Sequence, residues 1–490
     1  MKLESLLKQV DVLQVTGSAQ GEISALVQSS AQAGPGAMFV CIQGYTADGH
    51  DFLPDAYRRG ARAFVVQRLP RQLEEDGVYI LVEDSRLAMA QLAAAWFDRP
   101  AEKMTMIGLT GTKGKTTTAF MTKRILEQAG HKVGMIGTVG AFIGQEKIPT
   151  SNTTPETYEL HQLLAQMVRA GCTHVVMEVS SQAVKLKRTV GIRFDYGAFL
   201  NLSPDHISPI EHKDFQEYRD CKRAMFRQVK RAVVNLDGDH WEYVTAGAEN
   251  PITVSVSKQA DLRGSDIVNI WRPGFLGSSF QAQGLYRGEL LLSMPGEFNV
   301  HNALVAMAIG WAEGADFAQV QQALRETRVK GRTQLVPEAG KIATFIIDYA
   351  HNALSVESLL TMLKGYHPKR LILVFGSGGN RAKQRRYDMG LAAGKYADFS
   401  VLTSDNPRRE DPELICQHIV EGLSVHHGKY IIIVDRKEAI HYVMDHCQPE
   451  DMVVLFGKGH EEYQEIQGVK YPFSEEQIIR EYAAEKLEKT

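Results

Sequence analysis

Short apolar runs alternate with helical stretches along most of the chain, and this alternation predicts its fold. Apolar runs of the kind that form buried parallel strands occupy residues 104–109, 174–179, 196–201 and 231–236. Amphipathic stretches such as residues 119–126 lie between them. Strands that alternate with helices predict an α/β fold, in which a mainly parallel sheet is covered by helices on both faces.

The chain of 490 residues is too long for one hydrophobic core, and we expect three domains. Residues 1–100 are predicted to form a small N-terminal α/β domain, and residues 101–330 a central domain with a mainly parallel sheet. Residues 331–490 are predicted to form a third α/β domain, in which four apolar strands each end in polar residues. Because ligands of parallel sheets bind beyond the carboxyl ends of the strands, these four ends predict one cleft.

Composition and charge exclude several classes of protein. The net charge of −3 gives no electrostatic case for binding nucleic acid or an anionic membrane. Five scattered cysteines without a C-x-x-C motif predict neither a disulfide framework nor a zinc site. The N-terminus has no signal-peptide pattern, and no apolar run approaches the roughly 18 residues of a membrane span. We therefore expect a cytoplasmic enzyme.

Residues 110–117, Thr-Gly-Thr-Lys-Gly-Lys-Thr-Thr, follow a predicted strand and precede a predicted helix. Glycines let the backbone amides approach an anion, and the helix N-terminus adds partial positive charge. Lys115 would reach the terminal phosphates of a nucleotide, and Thr116 or Thr117 would hold Mg²⁺. The common spacing G-x-x-x-x-G-K-[ST] is not met because Leu109 occupies the first glycine position, so an ordinary glycine turn is the alternative.

Further polar residues of the central domain stand at predicted strand ends. Glu178 ends the strand at 174–179 and suits a second Mg²⁺ contact. Residues 152–155, Asn-Thr-Thr-Pro, could hold a substrate, although capping of a helix explains them equally well. His206 follows the next strand, where an ordinary loop histidine is the alternative. The charge pattern around Lys222 by itself indicates a solvated helix lysine.

The third domain repeats this arrangement at its four strand ends. Asp348 and His351 end the first strand, Arg381 follows the second, Arg408 follows the third, and the segment 457–461 follows the fourth. Either arginine could equally be a surface charge. Near the end of the central domain, residues 295–302 precede an alanine-rich helix, and helix capping is the alternative role for the two asparagines in that segment.

Taken together, these motifs resemble the Mur ligases, a family of ATP-dependent amino-acid ligases of peptidoglycan precursor synthesis. The resemblance covers nearly the whole chain and is most specific in seven segments, namely residues 110–117, 152–155, 178–181, 295–302, 348–351, 405–408 and 457–464. It implies an N-terminal UDP-sugar-binding domain, a central P-loop ATPase-like domain and a C-terminal Rossmann-like domain. It further implies ATP and Mg²⁺ as cofactors, small-molecule substrates, a monomer, and a part in cell wall biogenesis, cell shape and cell division.

The resemblance is greatest to the members that add meso-diaminopimelate or L-lysine to UDP-N-acetylmuramoyl-L-alanyl-D-glutamate through an acyl phosphate. Arg408 favours diaminopimelate, because a guanidinium suits the carboxylate that lysine lacks. A lysine-adding enzyme is the close alternative. The segment Gln28-Ser29-Ser30 and Gln182 differ from the family pattern, so a divergent ligase that acts on a modified precursor is a further alternative. More distant alternatives are a folylpolyglutamate-synthetase-like ligase and an ATP-binding scaffold without ligase activity.

The resemblance assigns roles residue by residue. Catalytic roles are assigned to Lys115, Lys222 and His206. ATP contacts are assigned to Gly111, Thr112, Lys113, Gly114, Lys115, Thr116, Thr117, Asn302, Arg332, Asp348 and His351. Contacts to the UDP-sugar-peptide are assigned to Ser29, Asn152, Thr153, Thr154, Ser181 and Arg188, and those to diaminopimelate to Arg381, Asp405, Asn406, Arg408, Gly457 and Glu461. Magnesium is assigned to Thr116, Glu178 and Lys222, the last carbamylated to N6-carboxylysine.

Overall fold

A computed structural model describes residues 1–44, 47–208, 211–272 and 274–488. The chain divides into two compact units. The first comprises Met1–Arg263 and Leu304–Asp316, and the second comprises Gly264–Ala303 and Phe317–Thr490. Within the described ranges, no helix is long and apolar enough to cross a membrane.

The first unit begins with a five-stranded sheet. Its elements are α1 (Leu3–Leu7), β1 (Val12–Thr16), β2 (Ala25–Val27), β3 (Ala37–Val40), α2 (Leu53–Arg58), β4 (Ala63–Val66), β5 (Val78–Val82) and α3 (Ser85–Trp96). The strand order is β1-β5-β4-β3-β2, in which β2 to β5 are parallel and β1 is antiparallel. Apolar side chains on both faces of this sheet are buried, as expected for parallel strands.

A second sheet of the first unit carries the phosphate loop, by which we mean residues 110–117. Its elements are β6 (Thr105–Thr110), α4 (Lys115–Gln128), β7 (Val133–Gly137), β8 (Gly140–Ile143), β9 (Glu146–Ile148), α5 (Thr157–Arg169), β10 (His174–Glu178), α6 (Ser181–Lys185), β11 (Phe194–Phe199), α7 (Phe215–Met225), β12 (Val229–Asn235), α8 (Trp241–Val244) and β13 (Ile252–Ser255). Within the unit the strand order is β13-β12-β11-β6-β10-β7-β8-β9. The strands from β13 to β7 are parallel, so the carboxyl ends of β6, β10 and β11 share one edge.

The second unit contains the remaining elements. They are β14 (Leu262–Arg272, which begins in the first unit), β15 (Phe275–Gly284), β16 (Gly288–Leu292), α9 (Glu297–Ala312, which ends in the first unit), α10 (Phe317–Glu326), β17 (Gln334–Leu335), β18 (Thr344–Asp348), α11 (Ala353–Lys364), β19 (Leu371–Phe375), α12 (Lys383–Tyr396), β20 (Phe399–Leu402), α13 (Pro412–Leu423), β21 (Tyr430–Ile432), α14 (Arg436–His446), β22 (Met452–Phe456), β23 (Tyr463–Ile466), β24 (Val469–Pro472) and α15 (Glu475–Glu488). Short 3₁₀ helices lie at Ser30–Gln32, Gly49–Phe52, Pro100–Lys103, Phe226–Gln228, Pro337–Ala339 and Ser424–His426.

The four strand ends predicted to share a cleft are neighbours in the second unit. Its six-stranded sheet has the order β17-β18-β22-β19-β20-β21. All neighbours from β18 to β21 are parallel, so β18, β22, β19 and β20 deliver their carboxyl ends side by side. Sequence analysis missed β21, which lies between β20 and β22 in the chain. Because β21 is added at the edge of the sheet, it leaves the four ends adjacent.

Candidate active site

The phosphate loop is bent by glycines that no other residue replaces without strain. Gly114 precedes α4 with φ +88°, a left-handed conformation that costs an L-residue about 1–2 kcal/mol. A Cβ on Gly111 would lie 2.9 Å from the Cβ of Leu200, so the loop packs directly against the chain that follows β11. The strand, loop and helix predicted from the sequence are therefore present, and the loop is held close to the neighbouring strand end.

Two lysine side chains converge on one carbonyl of this loop. The Nζ of Lys115 donates to the carbonyl oxygen of Gly111 at 2.7 Å and to that of Thr112 at 3.2 Å. The Nζ of Lys222 donates to the same Gly111 oxygen at 2.8 Å. The structure thus brings together two of the residues to which sequence analysis assigned catalysis, although they are more than 100 positions apart in the chain.

Lys222 is buried, so the solvated lysine indicated by the charge pattern alone is wrong. Its side chain is 1% exposed on α7, with Nζ 4.6 Å from the ring centroid of Tyr218. Burial, and then the positive charge of Lys115, hold the pKa of Lys222 well below its ordinary value. Lys222 faces the loop, whereas the other charged residues of α7 are half-buried or exposed, namely Glu217, Arg219, Asp220 and Arg223.

Asn201 is a loop partner that sequence analysis left without a role. Its backbone oxygen accepts from the amide of Thr112 at 3.0 Å, and its Oδ1 accepts from the amide of Lys113 at 2.9 Å. Its Nδ2 donates to the carbonyl of Lys113 at 3.0 Å. Two of the amides expected to face phosphate therefore have protein partners here. The available signal was the position of Asn201 directly beyond β11.

Glu178 ends β10 beside the phosphate loop, opposite Leu109 in the parallel register. Its side chain is 1% exposed. Oε1 accepts from the amide of Thr138 at 2.9 Å, and Oε2 from the hydroxyl of Thr138 at 3.2 Å. A Cβ on Gly137 would lie 2.2 Å from Oε1, so the carboxylate occupies space that only glycine leaves open. This fixed, buried carboxylate is the kind of oxygen ligand that Mg²⁺ requires.

Two of the residues assigned to the sugar-peptide, Thr154 and Arg188, have protein partners. The hydroxyl of Thr154 donates to the carbonyl of Glu178 at 2.8 Å, and Arg188 Nη1 donates to the carbonyl of Thr154 at 3.0 Å. Arg188 also pairs with Glu156. Thr154 and Arg188 are buried and thereby fix the segment that holds the half-buried Asn152 and Thr153. The assigned contacts to substrate remain a prediction.

Ser181 and His206 each contact a polar residue of the segment before α7, namely His212 and Glu211 respectively. Ser181 Oγ contacts His212 Nε2 at 2.9 Å, and both side chains are buried. His206 is exposed, with φ +57°, and its Nδ1 lies 3.0 Å from Glu211. Sequence analysis missed His212. Residues 209 and 210, which precede it, lie outside the described residues.

Ser29 lies apart from these groups. It is exposed just beyond β2, in the N-terminal sheet, and precedes a 3₁₀ helix.

In the second unit, Asp348 is fixed at the end of β18. Its carboxylate accepts from the backbone amides of Thr333 and Ala350, each at 2.7 Å. Burial raises the pKa of Asp348, and the guanidinium of Arg332 acts against that rise. The guanidinium also lies 5.1 Å from the centroid of the Tyr349 ring. A carboxylate, a guanidinium and an aromatic face are thus presented together.

His351 and Asn302 complete the assigned nucleotide residues of this unit, and Asn299 lies beside Asn302. Burial lowers the pKa of His351, whose Nδ1 lies 2.8 Å from the carbonyl of Tyr349. Asn299 and Asn302 are buried within α9, and Asn302 Nδ2 donates to Asn299 Oδ1 at 3.1 Å. Neither asparagine is the cap of the helix, so the capping alternative is wrong for both.

The loop after β20 and the turn after β22 share one buried lysine. Lys458 Nζ donates to Asn406 Oδ1 at 3.1 Å and lies 3.5 Å from Glu461 and 3.8 Å from Asp405. Asn406 Nδ2 donates to Glu461 at 2.7 Å, and burial raises the pKa of Glu461. Sequence analysis quoted Lys458 but gave it no role. A lysine between two glycines is typical of an exposed turn, and only the tertiary structure shows that Lys458 is buried.

Arg408 is half-buried, so it is not a freely solvated surface charge. Its Nε lies 3.3 Å from Glu465, and its Nη1 donates to the carbonyl of Gly379 at 3.0 Å. Arg381, on the turn after β19, is exposed. Gly457 has φ +109°, and a Cβ there would lie 2.5 Å from a carboxylate oxygen of Asp405. The six residues assigned to diaminopimelate therefore flank neighbouring strand ends of one sheet.

Comparison with known proteins identifies the same family throughout the chain. Residues 22–97 match the Mur ligase family catalytic domain, residues 109–310 the Mur ligase middle domain, and residues 331–459 the Mur ligase glutamate ligase domain. A protein of Caldanaerobacter subterraneus subsp. tengcongensis, named UDP-N-acetylmuramoyl-L-alanyl-D-glutamate–2,6-diaminopimelate ligase, is 40% identical over 489 residues, which are 99% of each chain. One from Clostridium acetobutylicum, named as the same ligase with the number 1, is 38% identical over 491 residues, covering 99% of this chain and 100% of that one.

A solved structure gives the same result for the fold. The structure described as UDP-N-acetylmuramoyl-L-alanyl-D-glutamate–2,6-diaminopimelate ligase superimposes with a TM-score of 0.72 and 26% identity, over 99% of each chain. The three-domain α/β fold expected from the sequence is confirmed.

Proposed function

The chain belongs to the Mur ligase family of ATP-dependent ligases, and from this premise we propose that it adds meso-2,6-diaminopimelate to UDP-N-acetylmuramoyl-L-alanyl-D-glutamate. Relatives that carry this activity in their names align with the chain from end to end. We also propose that the protein is cytoplasmic and monomeric, that it works in cell wall synthesis, and that its domain boundaries fall near residues 100 and 330.

The first half-reaction needs positive charge around a triphosphate and a carboxylate. In the proposed mechanism, the substrate carboxylate attacks the γ-phosphorus of ATP, the bond to the bridging oxygen breaks, and ADP leaves with that electron pair. Lys115 and the N-terminus of α4 hold the phosphates, because both present positive charge at the loop. Asp348, Arg332 and His351 are proposed to hold the adenosine part of the nucleotide.

The residues beside the loop fit Mg²⁺. Glu178 supplies a buried carboxylate that Thr138 already orients, and Thr116 supplies a hydroxyl at the start of α4. When bound, the metal would neutralise charge on the phosphates. Two hydrogen bonds from Thr138 hold the carboxylate of Glu178, and the lack of a side chain at Gly137 leaves space for it.

We propose that Lys222 is carbamylated. The lowered pKa increases the fraction of the amine that is neutral, and the lone pair of the neutral amine can attack CO₂. The new N–C bond forms as one C=O electron pair moves to oxygen, and the nitrogen loses one proton. The resulting carbamate carries a negative charge and two oxygens, which suit a second Mg²⁺ next to Gly111. Without that modification, Lys222 would offer no negative charge to a metal ion.

The second half-reaction joins the amine of the incoming amino acid to the acyl carbon and releases phosphate. One observation favours diaminopimelate over lysine, namely that Arg408 is held half-buried by Glu465 and the carbonyl of Gly379. Arg408 lies two residues after Asn406, whose amide donates to the carboxylate of Glu461. The far end of diaminopimelate carries both a carboxylate and an ammonium. A guanidinium beside carboxylates matches this pair, whereas the end of lysine offers only the ammonium.

Phosphate release from ATP tests the proposal, with UDP-N-acetylmuramoyl-L-alanyl-D-glutamate and either meso-diaminopimelate or L-lysine. We expect turnover with diaminopimelate only. Arg408→Ala should lower kcat/KM for diaminopimelate by about 10- to 100-fold, because it removes a charge-assisted hydrogen bond. The matched control is Arg409→Ala, which changes the exposed neighbouring arginine. Turnover with lysine would contradict the role of Arg408, and no turnover with either amino acid would indicate a modified precursor.

A further inference from the structure

We propose that His131, His174 and Glu313 form a binding site for a divalent transition metal such as Zn²⁺, separate from the catalytic centre. All three residues belong to the first unit. His131 follows α4, His174 begins β10, and Glu313 follows α9. Their candidate ligand atoms all lie within 4.8 Å of one another. Two imidazoles and a carboxylate are a ligand set used for Zn²⁺ and its neighbours, with a fourth position left for water.

The three side chains face each other closely. His174 Nε2 lies 2.8 Å from Glu313 Oε2, and the ring centroids of His131 and His174 are 4.1 Å apart. His131 Nε2 also lies 3.5 Å from the backbone oxygen of Glu313. Tetrahedral zinc with bonds of about 2.0–2.1 Å needs ligand atoms about 3.4 Å apart. The candidate ligand atoms, which lie within 4.8 Å of one another, must therefore move closer together when a metal binds.

The hydrogen bonds of Thr173 determine the tautomer of His174, and therefore whether its Nε2 presents a lone pair to the carboxylate of Glu313. The hydroxyl of Thr173 donates to the carbonyl of Lys132 at 3.4 Å, so it accepts from His174 Nδ1, which lies at 2.8 Å. With its first proton on Nδ1, His174 presents Nε2 to Glu313 as a lone pair. A lone pair and a carboxylate oxygen 2.8 Å apart repel each other unless a proton or a metal ion lies between them.

The surroundings are those of metal-binding residues. Metal-bound histidine usually has its second nitrogen held by another group, and Thr173 does this for His174. The carboxylate of Glu313 is held in turn by a hydrogen bond from the hydroxyl of Tyr196. The alternative is an imidazolium–carboxylate pair, in which a second proton on His174 takes the place of the metal.

The site lies at the opposite end of β10 from the proposed chemistry. His174 is the first residue of this strand and Glu178 the last, which separates them by about 13 Å at the rise of an extended strand. A metal here would not contact the phosphates. It would instead clamp the end of α4, the start of β10 and the end of α9 together, and α4 begins at the phosphate loop.

Cobalt absorption and zinc competition test the proposal on the full chain without nucleotide and with excess Mg²⁺. The metal-free protein should bind one Co²⁺ with visible d–d absorption, and one equivalent of Zn²⁺ should displace it. Thr173→Val should weaken Zn²⁺ binding by about 10- to 100-fold, because it removes only the group that orients His174. His131→Ala, which removes a ligand, should weaken binding further.

Two controls separate this site from other metal binding. Glu178→Gln should retain the cobalt spectrum, since Glu178 belongs to the proposed Mg²⁺ site. His426→Ala, which changes an exposed histidine of the second unit, should retain it as well. Absence of saturable Co²⁺ and Zn²⁺ binding by the wild-type chain would overturn the proposal in favour of the imidazolium–carboxylate pair. An unchanged Zn²⁺ affinity in both Thr173→Val and His131→Ala would also overturn the proposal. Far-ultraviolet circular dichroism verifies that both variants fold.

Discussion

Burial, more than residue type, sets the chemistry of the single residues at this site. Lys222 and Lys230 are both lysines of the central domain, but Lys222 is enclosed beneath the phosphate loop, whereas Lys230 is exposed and pairs with Asp195. Burial lowers the pKa of Lys222 well below its ordinary value, which increases the fraction of its amine that is neutral and can react with CO₂.

Lys222→Ala should lower kcat by about 100- to 1,000-fold, which is the range for removing one preorganised charge from a transition state. Lys230→Ala should leave kcat unchanged. In the wild type, ¹³C-labelled bicarbonate should give a carbamate resonance that is absent from the Lys222 variant. Equal kcat values for the two variants would contradict the proposed role of Lys222.

Glu461 should give diaminopimelate binding a pH dependence. Burial raises its pKa, so as the pH falls its carboxylate becomes protonated at a higher pH than an exposed glutamate does. Protonation removes the partner of the substrate ammonium. KM for diaminopimelate should therefore rise as the pH falls through the raised pKa, and stay low above it.

Steady-state kinetics between about pH 5 and 8 measure this effect, and the pH at which KM rises is compared with the ordinary pKa of a glutamate, about 4.3. Glu461→Gln should raise KM at neutral pH by about tenfold, because glutamine cannot form the ion pair. It should also flatten the dependence of KM on pH, because glutamine does not titrate. Glu462→Gln is the matched control, because the neighbouring glutamate is exposed and pairs with Lys330. An unchanged profile in Glu461→Gln would exclude this residue as the cause.

At the level of elements, one buried arginine holds two strand ends of the second unit in place. Arg436, at the start of α14, donates to the carbonyl of Ser404 beyond β20 at 3.2 Å and to that of Phe456 at the end of β22 at 3.1 Å. Its Nε donates to Glu475, at the start of α15, at 2.8 Å. These two strand ends lead into the segments that carry Asp405 and Gly457, so the ion pair supports the proposed diaminopimelate pocket.

Glu475→Gln should destabilise the second unit by about 3 kcal/mol, because it leaves the charge of Arg436 buried without a counter-ion. Denaturant unfolding followed by circular dichroism measures the loss. Arg480→Ala, on the same helix, removes an ion-paired arginine that is 49% exposed, and should change stability by no more than about 1 kcal/mol. Similar losses of unfolding free energy in both variants would show that the ion pair of Arg436 with Glu475 contributes no more to stability than an exposed ion pair does.

At the level of the whole molecule, neither compact unit is formed from one continuous segment of the chain. The segment 264–303 belongs to the second unit with the C-terminal sheet. The hydroxyl of Tyr366 donates to the carbonyl of Gly277 at 2.9 Å, and Leu276 lies in the same apolar core as Ile346 and Leu363. Strands far apart in sequence therefore share one core and should lose stability together.

Hydrogen exchange should reveal this coupling. In Glu475→Gln, amides of β15 and β18 should exchange faster together, although Glu475 lies on α15, because all three elements belong to one unit. Amides of β6 and β10, in the first unit, should keep their wild-type rates. Mass spectrometry of peptic peptides resolves these strands. Faster exchange confined to β18 would contradict a shared core.

The sequence alone determined the local structure and the family. Apolar runs located β6, β10, β11 and β12 to within about two residues, since buried parallel strands need continuous apolar stretches. Glycine positions identified the phosphate loop, because left-handed backbone and close approach depend on the residue itself. Neighbouring polar strand ends followed from the rule that parallel strands end at one edge.

Only the tertiary structure decided which polar side chains are buried and what they contact. The burial of Lys222 and Lys458, the bonds of Asn201 to the phosphate loop, and the pairing of Arg408 with Glu465 have no local signature. The same holds for the group of His131, His174 and Glu313, drawn from three elements. Burial and pairing are set by contacts between residues far apart in the chain, and these contacts determine the pKa values and charge balance on which the chemistry depends.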